Sequence, residues 1–286
     1  MKENSLIQIV KSLRMPEAFL ISGFIVVGSL FGIYDASSYQ FKNLIIVIVI
    51  SYTLMLAVYS SNAYLGFNED KINPRLKSLT LFSKTFYLFF TILFYSISFV
   101  SCFLLNPSNI YLHLLIFVLW FLYSVPRFGK HLPVIGTVIH FIVAVIQFNF
   151  AYSFFNQVSE NSVLISCYFA LLFSSGHLHH EIIDYEVDAE NSINSSAVKW
   201  GIKNMKYVSF GLFILANIFW TYLFICNYIR IEYFIIFFIG FLVHCCLFIF
   251  YNNQFENTHA QRIKYRFLYR AIYLICGVIL TYTILS

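Results

Sequence analysis

Charge is what this sequence has least of. Asp, Glu, Lys and Arg make up 11% of the chain, where a soluble domain carries about 25%. So few charges cannot cover a water-facing surface, which excludes a soluble globular fold. Proline is scarce too: Pro16, Pro74, Pro107, Pro126 and Pro133 are all there are. Each falls at or between the ends of long apolar runs, where a helix breaker does no harm. The six cysteines (Cys102, Cys167, Cys226, Cys245, Cys246, Cys276) show no C-x-x-C spacing. That excludes a zinc ribbon or dithiol motif and leaves small apolar packing residues. There is no low-complexity linker and no clear short repeat. The short alternating segments of an outer-membrane barrel are missing as well. No small-residue cleavage site follows the first apolar run, so that run reads as retained, not as a signal peptide.

What the chain does have is apolar length. It is 60% hydrophobic and 20% aromatic. Nine runs are long enough for helical membrane spans: 17–34, 42–66, 84–104, 109–125, 132–155, 162–179, 206–228, 232–251 and 266–285. The shorter ones need tilt or local thinning of a hydrocarbon core about 30 Å thick. The expected fold is an all-α polytopic membrane protein. Its nine transmembrane helices form one bundle and a single domain over residues 1–286. Its surroundings are membrane lipid.

The rare charges are unevenly placed. With nine spans, sixteen of the eighteen Lys and Arg residues fall on the side of the N-terminus; only Lys42 and Arg230 fall on the other. The positive-inside rule makes the N-terminal side cytoplasmic, in a cell inner (plasma) membrane. This bias accounts for the net charge of +5, which gives no reason to invoke nucleic acid.

Seven of the thirteen acids lie in or beside the two longest connections on that side, about 67–83 and 180–205. The second connection carries Glu181, Asp184, Glu186, Asp188 and Glu190. Asp184 and Asp188 are spaced i, i+4, and Glu181 lies one turn earlier, so a helix projects all three from one face. Carboxylates crowded in this way repel one another unless a cation lies between them. A hard divalent ion such as Mg²⁺ suits them, and Mg²⁺ commonly comes with substrate phosphates. A solvated helix end carrying acids for solubility is the plainer alternative. The first connection follows Asn62, an amide that is costly to bury in a span without a partner and is expected to face the bundle interior. His177, His179 and His180 precede the second acidic run. They admit a zinc reading, a hydrogen bond from a neutral His to a carboxylate, a base on the acceptor side, or an interfacial role. His140 and His244 lie within spans and are expected to satisfy buried hydrogen bonds.

Two acidic segments after spans 2 and 6 of a nine-helix chain resemble the UbiA superfamily of intramembrane prenyltransferases. That family carries N-D-x-x-D-x-x-x-D in the first position. In the second it carries D-x-x-D-x-x-x-D, followed by Gly, Thr and a closing Gly. Here Glu181, Asp184 and Asp188 fill the second set of acidic positions; Ser192, Ser195 and Gly201 fill the Gly, Thr and closing Gly. Ala197-Val198-Lys199 resembles the family's A-V-R. Leu13–Pro16, Asn73-Pro74-Arg75 and Tyr123–Pro126 through Lys130 and Gly136 resemble its other landmarks, so the likeness spans essentially the whole chain. The first motif departs from the pattern. Asn62 and Asp70 hold its first and last positions, but Ala63 and Gly66 replace the two acids between. Glu69 offers compensation: on a continued helix, Asn62, Gly66, Glu69 and Asn73 fall within roughly 60° of one another.

The resemblance implies a Mg²⁺-dependent transfer from an isoprenyl diphosphate to an aromatic or quinone-precursor acceptor. The active-site mouth then faces the cytoplasm. It implies Asp184, Asp188 and Glu181 as catalytic residues. It further implies Asp184, Asp188, Asp70, Asn62 and Glu69 as metal ligands, and Arg75, Arg127 and Lys130 as diphosphate contacts. Two other outcomes suit an altered first motif: a membrane terpene cyclase, and a non-catalytic isoprenoid-binding homologue. A transporter suits the chain least, because the polar residues gather at one mouth and not at midplane.

Overall fold

Helices are the only regular structure among the described residues. In lipid an unpaired backbone group has no water to turn to, so an apolar segment closes its hydrogen bonds on itself. The computed structural model describes residues 5–34, 41–70, 81–126, 128–252 and 258–285, apart from the side chains of Ser5, Leu20, Phe24, Glu69 and Asp70. In order, the helices are α1 (Ser5–Ser12), α2 (Met15–Tyr34), α3 (Phe41–Leu65), α4 (Phe67–Asp70), α5 (Lys84–Leu105), α6 (Ile110–Ser124), α7 (Ile135–Tyr152), α8 (Glu160–Glu190), α9 (Ser196–Ile225), α10 (Ile231–Tyr251) and α11 (His259–Leu285). Nine helices among the described residues are long and apolar enough to cross a membrane, one for each expected span. The chain is an all-α polytopic membrane protein.

Local signals set several helix ends. Ser83 caps α5 by accepting the Phe86 N–H at 3.3 Å. Asn106 ends α5, and Pro107 opens the 3₁₀ turn that leads into α6. Ser159 and Ser162 form a reciprocal capping box at the start of α8. Outward-facing Ile218, Ile225, Ile249 and Phe250 are among the most exposed side chains. Such a surface is stable against lipid and unstable against water.

Three boundaries differ from the expected spans. α8 does not stop where hydropathy falls but runs on to Glu190; α9 starts at Ser196 and α11 at His259. Charge ends an apolar run without ending a helix. These extensions are polar turns whose backbones stay bonded while their side chains find partners on neighbouring helices. The second acidic run therefore stands on a spanning helix, and the connection after it is only 191–195.

The chain divides into two compact units. The first comprises 1–131 and 146–157, the second 132–145 and 158–286. In the first, α3 packs along α5 and α2. Gly28 of α2 abuts the backbone of Phe148, where any Cβ would collide, the close approach that small residues permit between membrane helices. The Ser98 hydroxyl donates to the Ile50 carbonyl at 2.9 Å and meets His113 Nε2 at 2.7 Å, joining α5 to α3 and α6. In the second unit α8 packs along α9, and α11 along α10 and α8. Tyr168 stacks on Trp220 at 4.1 Å, and Phe237 closes edge-on. His244, fully buried on α10, bonds Tyr265 Oη at 2.6 Å.

Candidate functional site

The last turns of α8 carry an electrostatic conflict. Glu181, Asp184, Glu186, Asp188 and Glu190 lie toward its C-terminal end and no basic residue stands in its last turn. That end is the negative pole of the helix macrodipole, which disfavours carboxylates. The second unit shows how several of these charges are met.

Glu181 is buried and turned onto α9. One oxygen accepts the Ala197 N–H at 3.3 Å, the other meets His177 Nε2 at 3.1 Å, and the Ser196 hydroxyl donates to the same carboxylate. The first amides of a helix need acceptors. Ser195 stands at the N-cap of α9 but its side chain makes no capping bond. Glu181 supplies that cap from a different helix, and its charge suits the positive end of α9. His177 in turn stacks face to face on His140 at 3.7 Å, while His140 Nδ1 bonds the Gly136 carbonyl at 2.8 Å.

Asp184 and Asp188 are half-buried. Asp184 Oδ2 lies 3.6 Å from His180 Nε2. Glu186 is bonded by the buried Arg262 of α11. His179 Nε2 donates to the Arg262 carbonyl at 3.2 Å, and Arg266 donates to His180 Nδ1 at 2.8 Å. The three histidines thus meet three separate partners, Glu181, the Arg262 backbone and Arg266. Among the described residues no three His, Cys, Asp or Glu side chains form a metal-holding group. Hydropathy alone marked Arg262 and Arg266 as charges of a membrane-edge loop. Their spacing of i, i+4 on a helix that begins before its apolar run was the signal available for pairing them with α8.

α8 ends in a Schellman motif. The Ile193 N–H donates to the Asp188 carbonyl at 2.9 Å and the Ser192 N–H to that of Ala189 at 3.2 Å. Ser192 sits in the left-handed region at φ +55°. Glycine adopts that conformation freely, which explains glycine's place there in the family pattern. Gly201 breaks the helical dihedrals of α9 with φ +80° and ψ 154°, yet a Cβ there would meet nothing within 4 Å. Its glycine is required by conformation, not by space.

In the first unit the helical register passes from α3 to α4, with the Gly66 N–H donating to the Asn62 carbonyl at 2.8 Å. Asn62 Oδ1 is buried and has no hydrogen-bond partner among the described residues. Ala63 packs in an apolar cluster with Leu13 and Tyr87. Lys130 is half-buried in the 3₁₀ turn Gly129–His131. The backbones of Glu69 and Asp70 close α4; their side chains, and Arg75 and Arg127 entirely, lie outside the described residues.

The donor chemistry fits Mg²⁺. Within the second unit, Asp184 and Asp188 offer hard carboxylate oxygens one helical turn apart, the donor type this ion takes. Glu181 accepts the Ala197 N–H of α9.

Nine membrane-length helices with an acidic cluster at the end of one of them define a polytopic membrane protein with a polar site in an apolar frame. The chain belongs to the UbiA prenyltransferase family, whose model matches residues 22–274. No curated protein sequence matches it significantly. Among solved structures, a UbiA homologue from Archaeoglobus fulgidus bound to GPP and Mg²⁺ has the same fold. Its TM-score is 0.75 at 18% identity, over 96% of this chain and 99% of that one. The apo UbiA homologue from Aeropyrum pernix K1 gives a TM-score of 0.68 at 15% identity, over 91% of this chain and 98% of that one. A digeranylgeranylglyceryl phosphate synthase structure gives 0.67 at 15% identity, over 96% and 97%. At these identities the likeness is one of fold.

Proposed function

We propose that this protein transfers an isoprenyl group from an isoprenyl diphosphate to an aromatic or quinone-precursor acceptor in the membrane, with Mg²⁺. The observation that carries the reading is the pair Asp184 and Asp188, half-buried and one turn apart at the end of α8. Both belong to a chain of the UbiA prenyltransferase family, and the Archaeoglobus fulgidus homologue is bound to GPP and Mg²⁺. Asp184, Asp188, Asn62, Asp70 and Glu69 are the proposed metal ligands, and Arg75, Arg127 and Lys130 the proposed diphosphate contacts. When bound, Mg²⁺ neutralises the diphosphate so that it can leave.

The chain's own contribution is to hold oxygen ligands in a low-dielectric setting. There each charge interaction is stronger than in water. Glu181 keeps α9 seated against α8 and so positions the two aspartates. The surrounding helices exclude water from the reactive isoprenyl group. We also read residues 1–286 as one functional domain. Its N-terminus and active-site mouth face the cytoplasm and its membrane is the cell's inner membrane, on the strength of the Lys and Arg bias.

One observation favours a second reading. Ala63 is committed to an apolar cluster where the family pattern has an acid, and a half-depleted first motif suits a cyclase, or a non-catalytic isoprenoid binder, as well as a transferase. Purified protein given Mg²⁺ and farnesyl or geranylgeranyl diphosphate, with and without phenolic acceptors, separates the three. Acceptor-dependent diphosphate release is the expected result. Acceptor-free release with a cyclic hydrocarbon product assigns cyclisation instead. No release under any condition, with Asp184→Ala indistinguishable from the parent, rules out both enzyme readings.

A further inference from the structure

Arginine is a donor only; its guanidinium has no lone pair to offer. The contact of 2.8 Å between Arg266 Nη1 and His180 Nδ1 therefore has one direction. Nδ1 accepts, so it carries no proton, and the neutral ring bears its hydrogen on Nε2. That nitrogen faces Asp184 Oδ2 at 3.6 Å. Arg266 thus writes the tautomer of His180 and aims its N–H at the carboxylate. The alternative tautomer would set a lone pair against a carboxylate oxygen.

We infer that Arg266 of α11 is a positioning residue for Asp184, acting through His180. The inference rests on the reading of Asp184 as a metal ligand. It adds a part of the chain, the polar start of α11, that no motif marks. Three observations converge on it. An imidazole N–H fixed 3.6 Å from one carboxylate oxygen draws that oxygen electrostatically and leaves the other for a cation. Partners of this outer kind orient ligands and tune their affinity. Next, the same segment of α11 orders the adjacent ring: His179 Nε2 donates to the Arg262 carbonyl at 3.2 Å. Two neighbouring histidines therefore have their protons assigned by one helix. Finally, Arg262 binds Glu186 two residues beyond Asp184. The two arginines, one turn apart, register α11 along the acidic end of α8, so the Arg266–His180–Asp184 line is held at both its ends.

A plain docking contact between two helices would also place Arg266 here. The two accounts differ in what they couple. Docking affects stability alone; positioning affects metal affinity through His180. Full-length protein in nanodiscs, titrated with Mn²⁺ in the presence of inorganic diphosphate and followed by electron paramagnetic resonance, reads the affinity directly. Arg266→Met is expected to weaken Mn²⁺ binding about tenfold or more, and Arg266→Lys, which restores an N–H donor, to recover most of it. His180→Phe is expected to weaken binding similarly. The double variant should be no worse than His180→Phe, because neighbours acting in series are not additive.

Nitrogen NMR of ¹⁵N-histidine-labelled protein supplies a readout independent of metal. The resonances lost in His180→Phe should have an unprotonated Nδ1 in the parent. A proton on Nδ1, additive losses in the double variant, or unchanged Mn²⁺ affinity in Arg266→Met each overturns the inference. Asp184→Asn separates its failure from that of the underlying reading. If Asp184→Asn weakens binding and Arg266→Met does not, only the positioning role falls. If Asp184→Asn binds Mn²⁺ like the parent, the ligand assignment falls and takes the positioning role with it.

Discussion

The carboxylate of Glu181 on α8 caps α9 by accepting the Ala197 N–H at 3.3 Å. A motif acid therefore has a structural task before any chemical one. Replacing it with alanine leaves a buried amide, the Ser196 hydroxyl and His177 without their acceptor. Glu181→Ala is expected to cost about 1–3 kcal/mol, the penalty for stranding a buried polar group. Glu181→Gln retains an acceptor oxygen and should lose less. Thermal unfolding of both variants in the same detergent checks the order. Equal stability of Glu181→Ala and the parent would remove the capping role.

Gly201 holds φ +80° and ψ 154° inside α9, with open space where a Cβ would go. Alanine there is strained without being crowded. Gly201→Ala should destabilise by about 1–3 kcal/mol, the usual cost of a sparsely populated backbone conformation. Because there is no clash to relieve, Gly201→Ser and Gly201→Val should cost at least as much. A set of thermal midpoints in which alanine is neutral would contradict this account.

Ser192 presents the opposite case. It occupies the left-handed C′ position of the α8 Schellman motif at φ +55°. An L side chain there costs energy that glycine does not incur. Ser192→Gly is expected to stabilise the protein by about 1 kcal/mol, visible as a raised thermal midpoint with Mn²⁺ affinity unchanged. Lower stability would mean that the serine side chain makes a contribution larger than its backbone strain.

These three positions also show what a sequence can disclose. The nine spans were legible because a lipid-facing helix needs an unbroken apolar run, and each run has its helix. The ends were less legible. Hydropathy stops at His179, whereas α8 continues to Glu190, because backbone bonding does not depend on polarity. The one-turn spacing of Asp184 and Asp188 on a helix was legible, and α8 carries both. The diversion of Glu181 to α9 was not, since periodicity gives a face and not a partner sixteen residues away. Arg262 and Arg266 were read as topological charge, because nothing local connects them to residues some eighty positions earlier. Serine at 192 and glycine at 201 marked a motif; only the dihedral angles reveal that both answer to backbone conformation.

The two aspartates should behave differently from Glu181. Both are half-buried near the negative end of α8, so neutralising them removes repulsion from the fold. Asp184→Asn and Asp188→Asn are expected to leave thermal stability unchanged or slightly raised. Each should also lower Mg²⁺-dependent diphosphate release by about 100-fold or more, the scale on which a charge-stabilising group acts. Stability lost in step with activity would make them structural residues.

Asn62 closes the set, because among the proposed first-motif ligands its side chain is the described one. Its Oδ1 is buried with no hydrogen-bond partner among the described residues. An unmet amide oxygen in an apolar span is a standing penalty of about 1–3 kcal/mol, so removing it should stabilise the free protein. Asn62→Leu is therefore expected to raise the thermal midpoint while lowering Mn²⁺ affinity in the presence of inorganic diphosphate. Asp70→Asn should lower affinity too. Glu69→Gln tests whether a neighbouring acid makes up for Ala63 and Gly66: weaker binding assigns it a ligand's role, and unchanged binding removes it. If Asn62→Leu raises stability and leaves Mn²⁺ affinity intact, the buried oxygen is a defect of packing. The metal would then be held without the first position of this motif.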